Sequence, residues 1–195
     1  MEGIRYILAS ASPRRREILK QVLKEFDVMP SGIQEIMGQD REPVDIAMDL
    51  ALSKALNVSS RYPDAIVIGA DTIIVLEGVI IGKPADEGDA VRILETLSGK
   101  THQVVTGVAV VNGTYDLKLV NFEFSDVTFK NLDRSIIESY VREKKPLDMA
   151  GGYGIQDVMD SFVENLEGDF QNVVGLPPGL IAEMLDAMHS EIDRA

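Results

Sequence analysis

Residues 4–23, IRYILASASPRRREILKQVL, carry the first decision about the fold. Ile4 to Ala9 is an apolar run of strand length, and Ser10-Ala11-Ser12 turns the chain. Pro13 then opens a helix for which Ser12 is a good N-cap. Ile18, Leu19, Val22, Leu23 and Phe26 recur at helical spacing and predict its buried face. A buried strand that leads through small residues into an amphipathic helix is how a sheet with covering helices begins.

Working outward, a second strand is predicted over Phe26 to Met29. Pro43 starts another helix, with Ile46, Ala47, Leu50, Ala51 and Val58 on its buried face. Ala65 to Ala70 reads as an apolar strand that ends at Asp71. Ile73 to Leu76 and Val79 to Ile81, joined by Glu77-Gly78, read as a hairpin. Glu87 to Leu97 fits a helix stopped by Ser98-Gly99. Val104 to Val111 and Leu117 to Phe129 are strand-rich and meet at Asn112-Gly113-Thr114. Ser135 to Glu143 is helical until Pro146, Gly151 to Gly154 is a glycine-dense loop, Phe162 to Leu166 is a strand, and Leu180 to Met188 is a helix. Strand–helix alternation followed by strand-rich segments predicts a mixed α/β fold around a twisted sheet. No repeat, low-complexity segment or Pro-rich linker divides the chain, so 1–195 is read as a single domain, built as two lobes around a cleft.

The charge balance bounds the partners. Of 195 residues 19 are basic and 32 acidic, a net charge of −13. Such a surface repels nucleic acid and anionic membrane, both of which need basic side chains. An anionic substrate would have to be met by a few concentrated cations. The absence of cysteine excludes disulfides, thiolate nucleophiles and Cys-based metal sites. His102 and His189, the two histidines, are too far apart to be a ligand-spaced pair. Met1 to Ala9 carries an acid at Glu2 and an apolar run too short for a signal peptide, and no stretch approaches the ~20 apolar residues of a membrane span. The expectation is a cytoplasmic protein.

Three places could carry chemistry. Arg14, Arg15 and Arg16 fall in the first turn of the first helix, where the dipole is positive and N–H groups lack partners. Cations there make sense if an anion docks, with Ser10, Ala11 and Ser12 allowing close backbone approach. Solvated arginines reaching distant carboxylates are the alternative. Asp71, in Gly69-Ala70-Asp71-Thr72, emerges at the carboxyl end of a strand, and the hairpin could return Lys83 of Gly82-Lys83-Pro84 beside it. An acid that activates water next to a lysine that neutralises phosphate is a phosphoryl-transfer pair. A plain turn former in an ordinary loop is the alternative there, and no P-loop spacing is present. Finally, Ala150 to Gln156 (AGGYGIQ) sets three glycines around Tyr153, read as core rather than as a stacking platform. Gln156 could read a base edge, hold a phosphate or simply face solvent. Gly168 to Pro177 looks structural unless something else places it near the cleft.

Taken in order, Leu8 to Leu19 (LASASPRRREIL), Gly69 to Thr72 (GADT), Gly82 to Pro84 (GKP), Ser98 to Gln103 (SGKTHQ), Ala150 to Gln156 and Gly175 to Pro177 (GLP) resemble the Maf family of nucleotide pyrophosphatases. The resemblance runs from Tyr6 to about Leu185. It implies an elongated mixed α/β fold with a deep cleft, similar in shape to the inosine triphosphate pyrophosphatases. It implies hydrolysis of a nucleoside triphosphate between the α and β phosphates, with a divalent cation, Mg2+ or Mn2+, and assembly as a homodimer. By the same resemblance Arg14 and Arg15 hold the phosphate tail, supported by Ser10 and Ser12. Lys54 matches a conserved-type cleft lysine of the family, and Lys83 matches the lysine after the hairpin. Asp71 matches the general base or metal ligand with Thr72 beside it, and Glu35 matches a second acid and metal ligand. Gln156 resembles the branch acting on dTTP and UTP. The rival readings are a non-hydrolytic nucleotide-binding regulator of cell division, or a pyrophosphatase preferring 7-methyl-GTP or inosine and xanthosine triphosphates. Neither Arg16 nor His102 is assigned a role by the resemblance.

Overall fold

The computed structural model describes residues 4–33 and 41–195. Its strands are β1 (Tyr6–Leu8), β2 (Asp27–Val28), β3 (Ile66–Leu76), β4 (Val79–Ile81), β5 (Thr101–Asn112), β6 (Leu117–Phe129) and β7 (Val163–Glu167). They form one seven-stranded sheet in the order β2-β1-β3-β5-β6-β7, with β4 paired to β3. The sheet is mixed: β1 runs parallel to β2 and β3, whereas β3–β4 and β6–β7 are antiparallel. The helices are α1 (Pro13–Leu19), α2 (Pro43–Ser59), α3 (Glu87–Leu97), α4 (Arg134–Lys144), α5 (Ile155–Val158), α6 (Phe170–Val174) and α7 (Pro178–Ile192). The mixed α/β class expected from the sequence is the one observed. Among the described residues no helix is long and apolar enough to cross a membrane.

Several bounds differ from the sequence reading, each for a physical reason. The polar pair Asp71-Thr72 looks like a strand end, yet β3 continues through it to Leu76. β3 runs on beyond the end of β1, with β5 beside it in the sheet and β4 paired to its far end at Ile74–Leu76, so the strand continues through the polar pair. The first helix stops at Leu19, although the apolar period runs on to Phe26. Gln21, Val22 and Leu23 instead donate to Ile18 and Leu19 carbonyls in a turn that leads the chain back towards β2. β5 starts at Thr101, which places His102 and Gln103 on a strand. Phe170–Val174, read as a turn with a short apolar run, is helical.

The chain forms two compact units. The first comprises Met1–Asp71, Thr106–Glu123 and Gly175–Ala195, and the second Thr72–Val105 and Phe124–Val174. Each has its own core. In the first, Ala51, Ala55 and Val58 of α2 pack on Ile7, Ala9, Val67, Ala109 and Val111. In the second, Leu94 and Leu97 of α3, Ile137 and Tyr140 of α4, Phe129, Tyr153 and Phe162 close around the sheet.

The α2 contact is unusually close. A Cβ at Gly69 would lie 2.3 Å from the Ala51 carbonyl oxygen, and one at Gly107 would lie 2.3 Å from the Ala47 carbonyl. Two strands therefore present bare backbone where the helix crosses. Gly107→Ala is expected to lower unfolding stability by about 1–3 kcal/mol through overpacking. Gly179→Ala, on the exposed side of α7 with nothing within 4 Å of the new methyl, is expected to raise it by roughly 0.5–1 kcal/mol. Urea-unfolding midpoints of the two variants check both signs.

His102 supplies a second stability prediction. It is 1% exposed, packs edge-on to Phe129 at 4.9 Å, and its Nε2 lies 2.7 Å from the Tyr153 hydroxyl. Burial penalises the imidazolium and pushes the pKa from 6.5 down to about 4. Below pH 6.5 the unfolded chain takes up a proton that the folded protein refuses, so stability falls as pH drops towards 4 and levels off beneath it. The expected loss attributable to His102 is about 3 kcal/mol. Comparing wild type with His102→Asn between pH 7 and pH 4 isolates it, because other titrations are shared.

Candidate active site

The turn from β1 into α1 is built by its own side chains. Ser12 caps α1, its Oγ accepting the Arg15 N–H at 3.4 Å. Ser10, buried at the end of β1, accepts from the Ser12 N–H at 3.2 Å and from Arg15 Nη1 at 3.4 Å. Arg15 Nε donates to the Gly175 carbonyl at 2.8 Å. One guanidinium is thus held from two sides, by Ser10 and by the segment before α7. Gly175, which the sequence reading treated as structural, anchors a candidate phosphate ligand. Ser10 and Ser12 hold this turn through those hydrogen bonds. Arg14 and Arg15 are half-buried. Arg16 points elsewhere, into a groove of about 440 Å³ lined also by Arg5, Lys20 and Lys24.

A buried ion pair lies beyond the end of β1. β1 and β3 are in parallel register, Leu8 opposite Ile68, and Ala9 N–H still donates to Ile68 O at 2.8 Å. β3 outruns its partner, so Asp71 lies past the carboxyl end of β1 although it is interior to β3. That is the level at which open α/β sheets bind ligands. Opposite it stands Lys54 of α2, with Nζ 2.5 Å from Asp71 Oδ1. Lys54 is 8% exposed and Asp71 6%. The close crossing at Gly69 explains the contact, since Lys54 shares a helical turn with Ala51 and Ala55, which rest on that glycine. Lys54 is the one charged residue buried on α2, where its buried neighbours are Ile46, Ala47, Leu50, Ala51, Ala55, Val58 and Ser59.

The remaining expected residues lie in the second unit or outside the described residues. Thr72 follows Asp71 on β3 and is half-buried, and Lys83 is exposed after β4. Gln156 is the second residue of α5 and is also exposed. The Gly82-Lys83-Pro84 and Ala150–Gln156 segments are joined, because Gly151 N–H donates to Gly82 O at 3.0 Å. Gly151 holds φ 66°, the left-handed region that favours glycine, and a Cβ there would also displace the end of the Ile74 side chain, whose Cδ1 lies at 2.4 Å. Tyr153 is 5% exposed and points inward to His102, as a core residue. Glu35 falls outside the described residues.

For a divalent cation the donor set is sparse. Among the described residues no cluster of three His, Cys, Asp or Glu side chains could cage a metal. The Asp71 carboxylate is a hard oxygen donor, buried and held at one oxygen by Lys54. That suits Mg2+ or Mn2+, which take one or two carboxylates and complete their shell from phosphates and water.

Two polar residues have no role in the sequence reading. Tyr140 of α4 accepts the Gly154 N–H of the glycine loop at 3.0 Å, and Asn172 of α6 donates to Val104 O and Ser125 Oγ of β5 and β6, both at 3.0 Å. A tyrosine on the buried face of the helix predicted over Ser135 to Glu143 is the available signal for the first, and no local pattern marks the second.

A family model described as Maf-like protein matches residues 5–188. A dTTP/UTP pyrophosphatase of Clostridioides difficile (strain 630) is 42% identical over 179 residues, 92% of each chain. One of Bacillus cereus (strain B4264) is 43% identical over 189 residues, covering 97% of this chain and 98% of that one. Among solved structures, the Staphylococcus aureus Ham1 protein aligns at a TM-score of 0.44 and 13% identity, over 64% of this chain and 71% of that one. With the match spanning nearly the whole length and including the Ser10–Arg15 turn, the Lys54–Asp71 pair and the Gly151–Gln156 loop, this chain belongs to the family of Maf-like proteins.

Proposed function

We propose that this protein is a nucleoside triphosphate pyrophosphatase acting on dTTP and UTP, releasing the nucleoside monophosphate and pyrophosphate. The observation that carries the reading is the Lys54–Asp71 pair, buried beyond the carboxyl end of β1, with Asp71 the single acid in β3. The relatives' activity supports the choice of substrate.

The reaction asks for positioning and charge stabilisation more than for a protein nucleophile. Arg14 and Arg15 take the phosphate tail, and the bonds from Arg15 to Gly175 and Ser10 set its fork before substrate arrives. Asp71 accepts the proton of the water whose oxygen bonds the α-phosphorus. The bond from the α-phosphorus to the α–β bridging oxygen breaks, and that oxygen leaves with pyrophosphate. Lys54 fixes the Asp71 carboxylate and offsets negative charge. Lys83 and Thr72 add a cation and a hydroxyl for the phosphates. Gln156 offers its side-chain amide, both donor and acceptor, to the edge of a uracil or thymine base. A divalent cation, Mg2+ or Mn2+, held by Asp71 and Glu35 together with the phosphates, would supply further charge neutralisation. A homodimer in the cytoplasm belongs to the same proposal.

Pyrophosphate release from canonical, methylated, inosine and xanthosine triphosphates, with Mg2+ or Mn2+ and with chelator, tests the function. Selective turnover of dTTP and UTP, lost in chelator, is expected. Turnover of other bases would move the substrate, and nucleotide binding without any release would favour a regulator. Asp71→Asn is expected to lower kcat by at least about a hundredfold while leaving dTTP binding measurable by calorimetry. Turnover near the wild-type rate would remove Asp71 from its role.

A further inference from the structure

Gln156 sits on α5, a single helical turn of four residues, Ile155–Val158. A helix that short cannot hold itself in water, because nucleation costs more than one turn of hydrogen bonds returns. Its position must come from tertiary contacts. Ile155 and Val158 are 2% and 0% exposed and seat it in the core of the second unit. Apolar seating is non-directional, however, and a residue that reads a base edge must be held within a fraction of an ångström.

The polar contacts differ in their capacity to do this. Lys144 and Asp157 pair at 2.7 Å, but their side chains are 47% and 32% exposed, and such pairs hold geometry weakly. His102 bonds the Tyr153 hydroxyl, which fixes a ring three residues before Gln156. Tyr140 acts on the backbone itself. Its hydroxyl accepts the N–H of Gly154, the N-cap residue of α5, at 3.0 Å in a buried setting. Gly154 has no side chain with which to cap the helix, so this hydroxyl is a buried side-chain contact that fixes the backbone where the helix starts. The Tyr140 ring is itself fixed, 8% exposed and edge-on to Phe162 at 5.1 Å.

We propose that Tyr140 is a positioning residue for base selection: its hydroxyl, by holding Gly154 N–H, sets the orientation in which α5 presents Gln156 to the base. The inference rests on the reading of Gln156 as the base-contacting residue. It predicts that loss of one hydroxyl, on a helix that carries none of the residues assigned to the phosphates, changes which base is taken rather than how fast the bond is cut.

Tyr140→Phe keeps the ring and its packing, and a melting curve verifies that the variant is folded. The measurement is a double-mutant cycle over wild type, Tyr140→Phe, Gln156→Ala and the double variant. Each is assayed for kcat and KM with dTTP and with dATP, and for dTMP affinity by calorimetry. Tyr140→Phe is expected to lower the dTTP-to-dATP ratio of kcat/KM by about tenfold, equivalent to about 1.4 kcal/mol. The loss should appear in KM, with kcat within about twofold, since uniform binding and not the chemical step is affected. In the Gln156→Ala background the same substitution should change the ratio little. An unchanged ratio in Tyr140→Phe, with the ratio lowered in Gln156→Ala, overturns the role of Tyr140 alone. Equal losses from Tyr140→Phe in both backgrounds overturn it too, by showing a structural effect. A full dTTP preference in Gln156→Ala removes the base-reading role of Gln156 and this proposal with it.

Discussion

Two charges out of water, Lys54 Nζ and Asp71 Oδ1 at 2.5 Å, are the constraint around which the first unit is arranged. A buried ion pair recovers by mutual attraction no more than a part of what desolvation costs, and well-packed apolar residues of similar volume often do as well or better. Stability alone gives no reason to keep it in the apolar surroundings of α2 and β3. The surrounding residues are shaped to allow it. Gly69 strips the strand of its side chain where Ala51 and Ala55 cross, and Gly107 does the same under Ala47. Small residues on both sides draw α2 close, and the lysine one turn along is delivered to the aspartate. Filling either glycine would push the helix outward, and the ion pair would loosen with the packing.

The cations of the β1–α1 turn face a related difficulty. On a chain of net charge −13 an arginine has many carboxylates to wander to. Arg15 is directed by bonds to Gly175 O and Ser10 Oγ, which hold two of its nitrogens in place. Such partners orient a guanidinium without adding negative charge beside it. A local concentration of oriented cations is what an acidic protein needs if it is to meet an anion.

Much of this was legible in the sequence because it is local. Ser12 as N-cap, Pro13 at the helix start, α3 from Glu87 to Leu97 and the Glu77-Gly78 hairpin turn follow from residues within a few positions of one another. Family resemblance, not periodicity, singled out Lys54, which on composition alone is one more helical lysine. What was not legible depends on neighbours distant in the chain. Asp71 looked like a strand terminus because a carboxylate inside an apolar ladder is read as an ending. Only the lysine opposite it, 17 positions away, makes it tolerable within β3. The apolar period predicts a first helix to Phe26, yet after Leu19 the backbone of Gln21, Val22 and Leu23 closes a turn on the Ile18 and Leu19 carbonyls. Arg15 and Gly175 are 160 positions apart, and no local pattern links them. Glu35 lies outside the described residues and has no geometry to compare with its expected role.

The glycine loop shows why specificity is harder to read than chemistry. Charge-handling residues betray themselves by type: an arginine at a helix start or an acid in a buried strand is out of place, and being out of place is information. A residue that orients another is at home where it stands. Tyr140 belongs on a half-buried helix face, His102 on a strand end, Gly151 in a turn. Their effect on Gln156 comes only from the meeting of α4, β5 and the loop in one core, where a hydroxyl, an imidazole and a carbonyl each hold one point of the segment. If Tyr140 positions a base-reading Gln156 as proposed, base choice depends on the packing of the second unit as well as on the glutamine, because a side chain reads an edge only from where its backbone is held.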